Sequence, residues 1–311
     1  MQMPAKVWFK LQRLKAWLRS TFGQREEHYE HAVRMCPSCR GLIDRNASTC
    51  PLCGAKVRGA RSRPSSTPGK VMGGIIPVPT SANTIIIAFT IIIYAVTWYM
   101  TQNAASAAMQ SAPSLGGIST QVLVRMGAKY PLIFAGQWWR LVTAIFLHAG
   151  LIHIGFNLWC LFDVGPMVES LFSSQKYVVL YLVTGVFGYV VSLFWAPMGV
   201  SIGASGAIMG LIGILIGASY HLGSMGKDLR RQLWKWVIYI AIFGLLPMFS
   251  VDNAAHFGGF VSGFVLGYLV STGEPQTRAG ETLWNTLAVI SVIVIAGSFA
   301  LMAMNLSRPL G

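Results

Sequence analysis

Long apolar runs fill the last three quarters of the chain, whereas the first 80 residues mix short apolar clusters with many charged side chains. From Asn83 onward, each run has about the 20 residues that a helix needs to cross a bilayer. Apolar runs of this length predict membrane-spanning helices. Seven spans are predicted, at 83–101, 147–171, 176–196, 204–221, 233–250, 254–272 and 283–304.

The composition supports an integral membrane protein. The chain has 311 residues, of which 54% are hydrophobic and only 11% are charged, whereas a soluble protein carries about 25% charged residues. The first long apolar run starts near Asn83, too late in the chain for a secretory signal peptide. We therefore expect an all-α, multi-pass membrane protein.

Charge is distributed unevenly along the chain. Residues 1–80 contain 14 Lys and Arg against 4 Asp and Glu, and the other residues contain 10 against 6. Positively charged segments stay on the cytoplasmic side, so the N-terminal part is predicted to be cytoplasmic. The short connections that this orientation puts outside, 197–203 and 251–253, carry no Lys or Arg.

The N-terminal part divides into three segments. Residues 1–33 predict a basic amphipathic helix, which suits either the surface of an anionic membrane or packing on its own small domain. Residues 34–56 contain the cysteine motifs described next, and residues 57–82 are rich in Arg, Ser, Pro and Gly, which predicts a flexible linker. Since no reading helix or aromatic strand pattern accompanies the basic residues, nucleic acid is not an expected partner.

Two C-P-x-C motifs predict a metal site, and the sequence around them resembles a small zinc ribbon. Their four thiols suit a closed tetrahedral site with a structural role. Zinc is the expected metal, although iron fits the same ligands, and a segment this short has no apolar core of its own to replace a metal. The ligands are Cys36, Cys39, Cys50 and Cys53.

The fourth span begins with a serine among small residues, in the sequence Gly203-Ala204-Ser205-Gly206. A helix start offers unpaired backbone N–H groups that suit a developing oxyanion. The sixth span runs in the same direction and has His256 at a similar depth. Glycines recur along both spans and allow two helices to approach closely, so we expect His256 to reach Ser205. The alternative for each residue alone is helix packing.

The second span adds His153 and Asn157, which are four residues apart and therefore lie on one helical face. Both are neutral hydrogen-bond donors at the expected depth of Ser205. Together with the backbone N–H of Ser205, they form a candidate oxyanion site.

These motifs, in this order, resemble those of the rhomboid intramembrane serine proteases. The resemblance covers about residues 83–273 and rests on G-A-S-G in the fourth span, A-H-x-G-G in the sixth, H-x-x-x-x-H-x-x-x-N in the second and Trp139-Arg140 before it. It implies a rhomboid-like six-helix core at 83–273, with 274–311 adding a seventh, C-terminal transmembrane helix. A small zinc-ribbon-like cytoplasmic domain precedes this core.

The resemblance implies a serine endopeptidase that cleaves membrane proteins in or near their transmembrane helices. Ser205 is then the nucleophile and His256 the general base, with His153 and Asn157 as oxyanion donors and no catalytic cofactor. His148 would support the site and Glu169 would be structural. The expected partners are single-pass or multi-pass substrates in the lipid bilayer, which enter past the fifth span, and the expected location is a bacterial inner membrane.

One position departs from the family pattern. Four residues after the serine, where the family often has an aromatic ring against the histidine, this chain has Met209. A thioether contacts a ring only weakly, so the departure concerns the rate of the reaction.

Two other functions fit parts of the sequence. A non-catalytic rhomboid-like binder or chaperone of membrane helices is the main alternative, although such relatives typically lose the serine or histidine. A transporter would need inverted repeats or paired broken helices, and the two cysteine motifs are the repeat that the sequence contains.

Overall fold

The structure is a computed structural model that describes residues 33–35, 42–44, 49–51, 53–55, 81–103, 116–245, 251–275 and 277–306. The chain divides into two compact units, Met1–Val78 and Pro79–Gly311. The predicted amphipathic segment falls almost entirely outside the described residues, and so does the predicted linker.

The first unit contains a two-stranded antiparallel sheet. Strand β1 is Val33–Met35 and strand β2 is Leu42–Asp44, with Val33 opposite Asp44. Both strands overlap the predicted zinc-ribbon-like segment at 34–56, except that β1 begins one residue before it. Cys36 and Cys39 follow β1 in sequence and lie outside the described residues.

The second unit is helical in its described part. Seven of its described helices overlap the seven ranges predicted from hydropathy, and two short helices precede the second of them. In chain order these elements are α1 (Ser81–Gln102), α2 (Thr120–Arg125), α3 (Arg140–Thr143), α4 (Leu151–Phe172), α5 (Ser174–Trp195), α6 (Ser205–Ser219), α7 (Gly223–Leu245), α8 (Asn253–Leu269) and α9 (Arg278–Asn305). Short 3₁₀ turns occupy Pro131–Ile133 and Ala144–Phe146.

Four helices of the described chain, α1, α4, α5 and α9, have the length and apolar composition to cross a membrane. The helix α6 is equally apolar but has only 15 residues. Together with the composition, these helices establish an integral membrane protein.

Three predicted helix starts were wrong by four residues or more, and the first of them is that of the seventh span, placed from residue 283 although α9 begins at Arg278. The second span was placed from residue 147, but α4 begins at Leu151, because the preceding residues form a 3₁₀ turn and an extended segment. The fifth span was placed from residue 233, but α7 already begins at Gly223. Hydropathy misplaced this start because the first turns of α7 carry Lys227, Arg230 and Arg231, which a helix accommodates as readily as a loop does.

Glu169 near the end of α4 holds the start of α1. Its two carboxylate oxygens accept the backbone N–H groups of Ala82 (3.1 Å) and Asn83 (3.0 Å), and the hydroxyl of Ser174 donates to the same carboxylate. The first N–H groups of a helix lack intrahelical partners and favour a negative charge. Glu169 therefore has a structural position, in agreement with its expected role.

Lys176 stands where the third span was predicted to begin. In the structure it is buried in the first turn of α5 and donates to the carbonyls of Ser271 (2.7 Å) and Gly273 (2.8 Å). The connection between α4 and α5 is a single residue, Ser173, with φ 98°. The lysine thus joins the end of α8 to α5.

Arg140 organises the segment between α1 and α4. Its guanidinium is buried and donates to the carbonyls of Val124 (2.6 Å) and Ala128 (3.1 Å) and to Gln137 (2.8 Å). Burial lowers the pKa of Arg140 to about 10, so the side chain stays charged at neutral pH. Since its hydrogen bonds tie α2 to α3, this connection has a fixed structure in its described part.

Candidate active site

The helices α6 and α8 cross with their backbones in contact. A Cβ on Gly259 would collide with the carbonyl oxygen of Gly206, and one on Gly263 would collide with that of Gly210. Only glycine permits so close an approach, as in small-residue helix contacts generally. The predicted glycine stripes therefore do bring these two helices together.

This crossing places the first turns of the two helices side by side. Ser205 is the first residue of α6, and His256 lies in the first turn of α8. The residues beside them touch, because a Cβ on Gly206 would lie 3.4 Å from the carbonyl oxygen of Ala255. His256 is buried, and Ser205 is partly exposed.

His153 reaches the same point from α4. A Cβ on Gly203 would lie 2.7 Å from Nε2 of His153 and 3.8 Å from Oγ of Ser205. Gly203 has φ +119°, a conformation that favours glycine, so the extended segment can pass close to the histidine. The serine and His153 therefore share one small space.

The hydrogen bonding of His153 indicates its tautomer. Its Nδ1 accepts the backbone N–H of Ala149 at 3.4 Å. A neutral imidazole that accepts at one nitrogen carries its proton on the other. Nε2, the nitrogen that lies near Gly203, is then the donor.

Asn157 lies one turn further along α4. Its Nδ2 donates to the carbonyl of His153 at 2.8 Å, and its Oδ1 is buried without a hydrogen bond. An amide nitrogen has two hydrogens, so one donor of Asn157 is not used by this bond. The predicted face that holds His153 and Asn157 is thus present in the structure.

His148 precedes α4 and packs against His153, with ring centroids 4.9 Å apart in an edge-to-face arrangement. It is buried, and Nδ1 lies 3.3 Å from the carbonyl oxygen of Phe146. His148 therefore contacts His153, and its supporting role stays a prediction.

Two residues that the sequence analysis did not select hold the site together. Asp252 caps α8: its Oδ1 accepts the N–H of Ala255 (2.9 Å), and its Oδ2 accepts the hydroxyl of Ser192 on α5. Tyr189 on α5 donates to the carbonyls of Gly203 (2.9 Å) and Ala144 (3.2 Å). An aspartate just before a helix is a known capping signal, so Asp252 was detectable, whereas Tyr189 looked like any apolar helix residue.

Met209, the position that departs from the family pattern, is buried in the second turn of α6. It belongs to the apolar core of the helical unit. A thioether therefore occupies the place where the resemblance leads one to expect an aromatic ring.

The second pair of cysteines shows a tight turn. The N–H of Gly54 donates to the carbonyl of Cys50 (2.9 Å), and the N–H of Cys50 donates to the carbonyl of Ala55 (2.9 Å), with Gly54 at φ +71°. Cys50 is buried and Cys53 is exposed. Within the part of the chain that the structure describes, no three His, Cys, Asp or Glu side chains cluster as metal ligands, and Cys36 and Cys39 lie outside that part.

Fold and site together define a class: a helical membrane protein with a serine, two histidines and an asparagine near the ends of three packed helices. Residues 135–273 match the family model described as the Rhomboid domain. This match includes Ser205, His256, His153 and Asn157. It ends at residue 273, four residues after the end of α8.

Curated relatives support the same class. The chain is 36% identical over 184 residues to rhomboid protease GluP of Bacillus subtilis, covering 58% of this chain and 35% of that protein. It is 34% identical to RHOMBOID-like protein 6, mitochondrial, of Arabidopsis thaliana, covering 52% and 53%. It is 33% identical to rhomboid-type serine protease 2 of Emericella nidulans, covering 46% and 29%. The chain thus spans 35%, 53% and 29% of the lengths of these three relatives, in that order.

Proposed function

We propose that this protein is an intramembrane serine endopeptidase that cleaves peptide bonds in or near transmembrane helices of other membrane proteins. The observation that carries the proposal is the glycine-lined crossing of α6 and α8, because it puts Ser205 and His256 at neighbouring helix starts. The Rhomboid domain match and the relatives named as proteases support it.

In this mechanism His256 takes the proton of the Ser205 hydroxyl, and the oxygen attacks the scissile carbonyl. The acyl-enzyme that forms is then hydrolysed by water. The oxyanion receives hydrogen bonds from Nε2 of His153, from the second hydrogen of Asn157 Nδ2 and from the backbone N–H of Ser205. Asp252 and Tyr189 are positioning residues, since they fix the helix start of His256 and the carbonyl of Gly203.

We place all seven helices across the membrane, six in the protease core and α9 as an additional span, with the N-terminal unit in the cytoplasm. Under this orientation Ser205 lies near the outer surface. A bacterial inner membrane is our proposal for the location, and the bacterial, plant and fungal relatives leave other membranes equally open. Substrates are single-pass or multi-pass proteins of the same bilayer.

Ser205→Ala tests the proposal. We expect the wild-type chain in proteoliposomes to cleave a model single-span substrate and to react with a fluorophosphonate at Ser205, and the variant to do neither. Ser262→Ala is the matched control, because its hydroxyl donates only within α8, to the carbonyl of Gly259 (3.0 Å). Cleavage by the Ser205→Ala variant at the wild-type rate would contradict the mechanism. Membrane proteomics of cells that express each form would then identify the shed substrates.

The alternative is a non-catalytic binder or chaperone of membrane helices. The same probe separates the two functions, because a binder has no need of an activated serine. Absence of fluorophosphonate labelling in the bilayer, together with retained binding of the model helix, would favour the binder.

For the N-terminal unit, we propose a structural zinc held by two C-P-x-C motifs. The turn at Cys50 supports this assignment, since its backbone hydrogen bonds bring the ends of the second motif together. The zinc would cross-link a segment that is too short to bury a core of its own. We propose that this module recruits or regulates substrates. Its ligands would be Cys36, Cys39, Cys50 and Cys53.

Elemental analysis of the purified full-length chain tests the metal. A content of one zinc per chain that is lost in the double variant Cys50→Ser/Cys53→Ser supports the site. Iron in the same amount would support the site but change the identity of the metal. The membrane-embedded Cys160→Ser is the control, because Cys160 is buried in α4. A stoichiometry unchanged by the double variant would refute the assignment.

A further inference from the structure

Asp163 is an acidic residue in the middle of α4, a helix with the length and composition to cross the membrane. Its side chain is exposed, so it faces the surroundings of the helix rather than the protein core. Within the described part of the chain, its carboxylate makes no hydrogen bond or ion pair. An ionisable group inside a membrane is costly and marks a functional site by default.

One ring contact joins the side of α4 that carries Asp163 to α7. One turn earlier on the same face, the ring of Trp159 meets that of Trp236 on α7, with centroids 5.8 Å apart. Residues four apart lie on one side of a helix, so Asp163 follows Trp159 along the boundary between the two helices. On α7, Gln232 precedes Trp236 by the same four residues and is also exposed.

The two helices run in opposite directions relative to the active site. α4 starts beside the site with His153, whereas α7 ends beside it, because Asn253 at the start of α8 donates to the carbonyl of Gly244 at 2.8 Å. Moving from Trp159 to Asp163 and from Trp236 to Gln232 therefore leads away from the site on both helices. The boundary has aromatic rings near the site and polar side chains one turn deeper.

Asp163 has a fixed depth relative to the reacting serine. Ten residues separate it from His153, which corresponds to about 15 Å along a helix. His153 lies at the level of Ser205, as its approach to Gly203 demonstrates. A substrate helix that lies along the boundary with its scissile bond at Ser205 would present the residue about ten positions further into the membrane to Asp163.

From this placement we infer that Asp163 is a specificity-determining residue. It selects substrate transmembrane segments that carry a lysine or arginine about ten residues inward of the scissile bond. The partner chemistry follows from the charge: an uncompensated carboxylate in a low-dielectric setting gains most from a cation that is itself poorly solvated there. Gln232 supplies a second hydrogen-bonding group at the same depth. The inference rests on the proposed protease function and names a determinant of its substrate class.

A lysine scan of a reporter substrate tests the inference. The full-length chain in proteoliposomes is given single-span reporters with one lysine placed between about six and 14 residues inward of the cleavage site, each with a glutamine-bearing twin. We expect the wild type to prefer the lysine reporter near position ten by about tenfold in kcat/KM, a size typical of one polar contact inside a membrane. The difference should lie in KM, because the contact is remote from the reacting bond.

Two variants at the same position make the test specific. Asp163→Asn keeps the shape, removes the charge and should abolish the preference, and Asp163→Lys should transfer it to a reporter with glutamate. Asp228→Asn is the control, because Asp228 is an exposed acid on α7 that pairs with Arg231 at 3.3 Å. The unfolding temperature should be unchanged in the Asp163→Asn variant, since the Asp163 side chain makes no hydrogen bond within the described part of the chain.

The outcomes separate this inference from the proposed function. If Ser205 reacts with the fluorophosphonate but the lysine preference is absent in the wild type, or is the same in Asp163→Asn, the inference is wrong and the protease assignment stands. If Ser205 does not react and no reporter is cleaved, both fail together. A preference that persists in Asp228→Asn and disappears in Asp163→Asn supports the inference.

Discussion

The helix pairs α6–α8 and α4–α7 are built in opposite ways. In the first pair, glycines such as Gly263 let the backbones touch, so that no side chain fits between the helices. In the second pair, contact is made through the rings of Trp159 and Trp236, and the exposed polar side chains of Asp163 and Gln232 lie below them. The first pair carries the candidate nucleophile and base, and the first turns of α4 in the second pair carry the candidate oxyanion donors, His153 and Asn157.

Under the proposed function, the first pair fixes the serine and the histidine, and the boundary between the second pair admits the substrate helix. A serine–histidine pair without an aspartate needs fixed helix positions, which backbone contact provides because it leaves no rotamer free to adjust. Under the proposed function a transmembrane substrate needs a boundary that can open at low cost, and a contact between two ring side chains meets that need. The comparison predicts that substitutions at the crossing of α6 and α8 affect stability and activity together, whereas those at the α4–α7 boundary below the site affect selectivity.

The largest effect is expected from Gly263→Leu. The new side chain would collide with the carbonyl oxygen of Gly210 and force α6 and α8 apart, at a cost of about 3 kcal/mol or more, at the upper end for overpacking. Thermal unfolding in detergent micelles should show the loss, and fluorophosphonate labelling should disappear with it. Gly297→Leu on α9 is the control, because nothing lies within 4 Å of a Cβ there. Equal unfolding temperatures for the two variants would contradict the proposed rigid crossing.

The next effect is expected from Glu169→Ala, which lies near the end of α4 opposite to the one that carries His153. The variant leaves two N–H groups at the start of α1 without an acceptor, and each such loss costs about 1–3 kcal/mol when the groups are buried. The free energy of unfolding should fall, while fluorophosphonate labelling of the folded fraction is retained. Glu281→Ala in the first turn of α9 is the control, since that side chain is exposed. Loss of labelling in folded Glu169→Ala protein would show that the residue acts on the site.

Sequence patterns predicted the order and approximate ranges of the described helices, because each helix contains an apolar run. They failed at Leu151, because the 3₁₀ turn before α4 is as apolar as the helix itself. They also failed at Gly223, because the first turns of α7 are charged although they are helical. The candidate site was predictable because the resemblance depends on short motifs with fixed spacing. Tyr189 was not, since its two hydrogen bonds to distant carbonyls are visible only once α5 is packed against the 3₁₀ turn.

A smaller effect is expected from Asp252→Ala, which removes the cap of α8 without changing the crossing. Loss of a capping side chain costs about 1 kcal/mol, and the hydroxyl of Ser192 also loses its acceptor. Asp252→Asn should recover most of the stability, because asparagine caps helices equally well. If the rate of cleavage falls in the alanine variant and returns in the asparagine variant, the geometry of the cap matters more than its charge. A rate unchanged in both variants would remove Asp252 from the positioning residues.

The smallest effect on stability is expected from Trp236→Ala, although the side chain that it removes is large. The ring is only partly buried and borders the lipid, which can fill the vacated space, so the loss should stay near the ~1 kcal/mol of one aromatic pair. Because the variant weakens the contact between α4 and α7, we expect kcat/KM for a single-span reporter to rise. Trp195→Ala is the control, since that ring is 82% exposed on α5 and belongs to neither pair. If Trp236→Ala instead lowered the unfolding temperature as far as Gly263→Leu does, the α4–α7 boundary would be part of the rigid frame, and substrates would have to enter elsewhere.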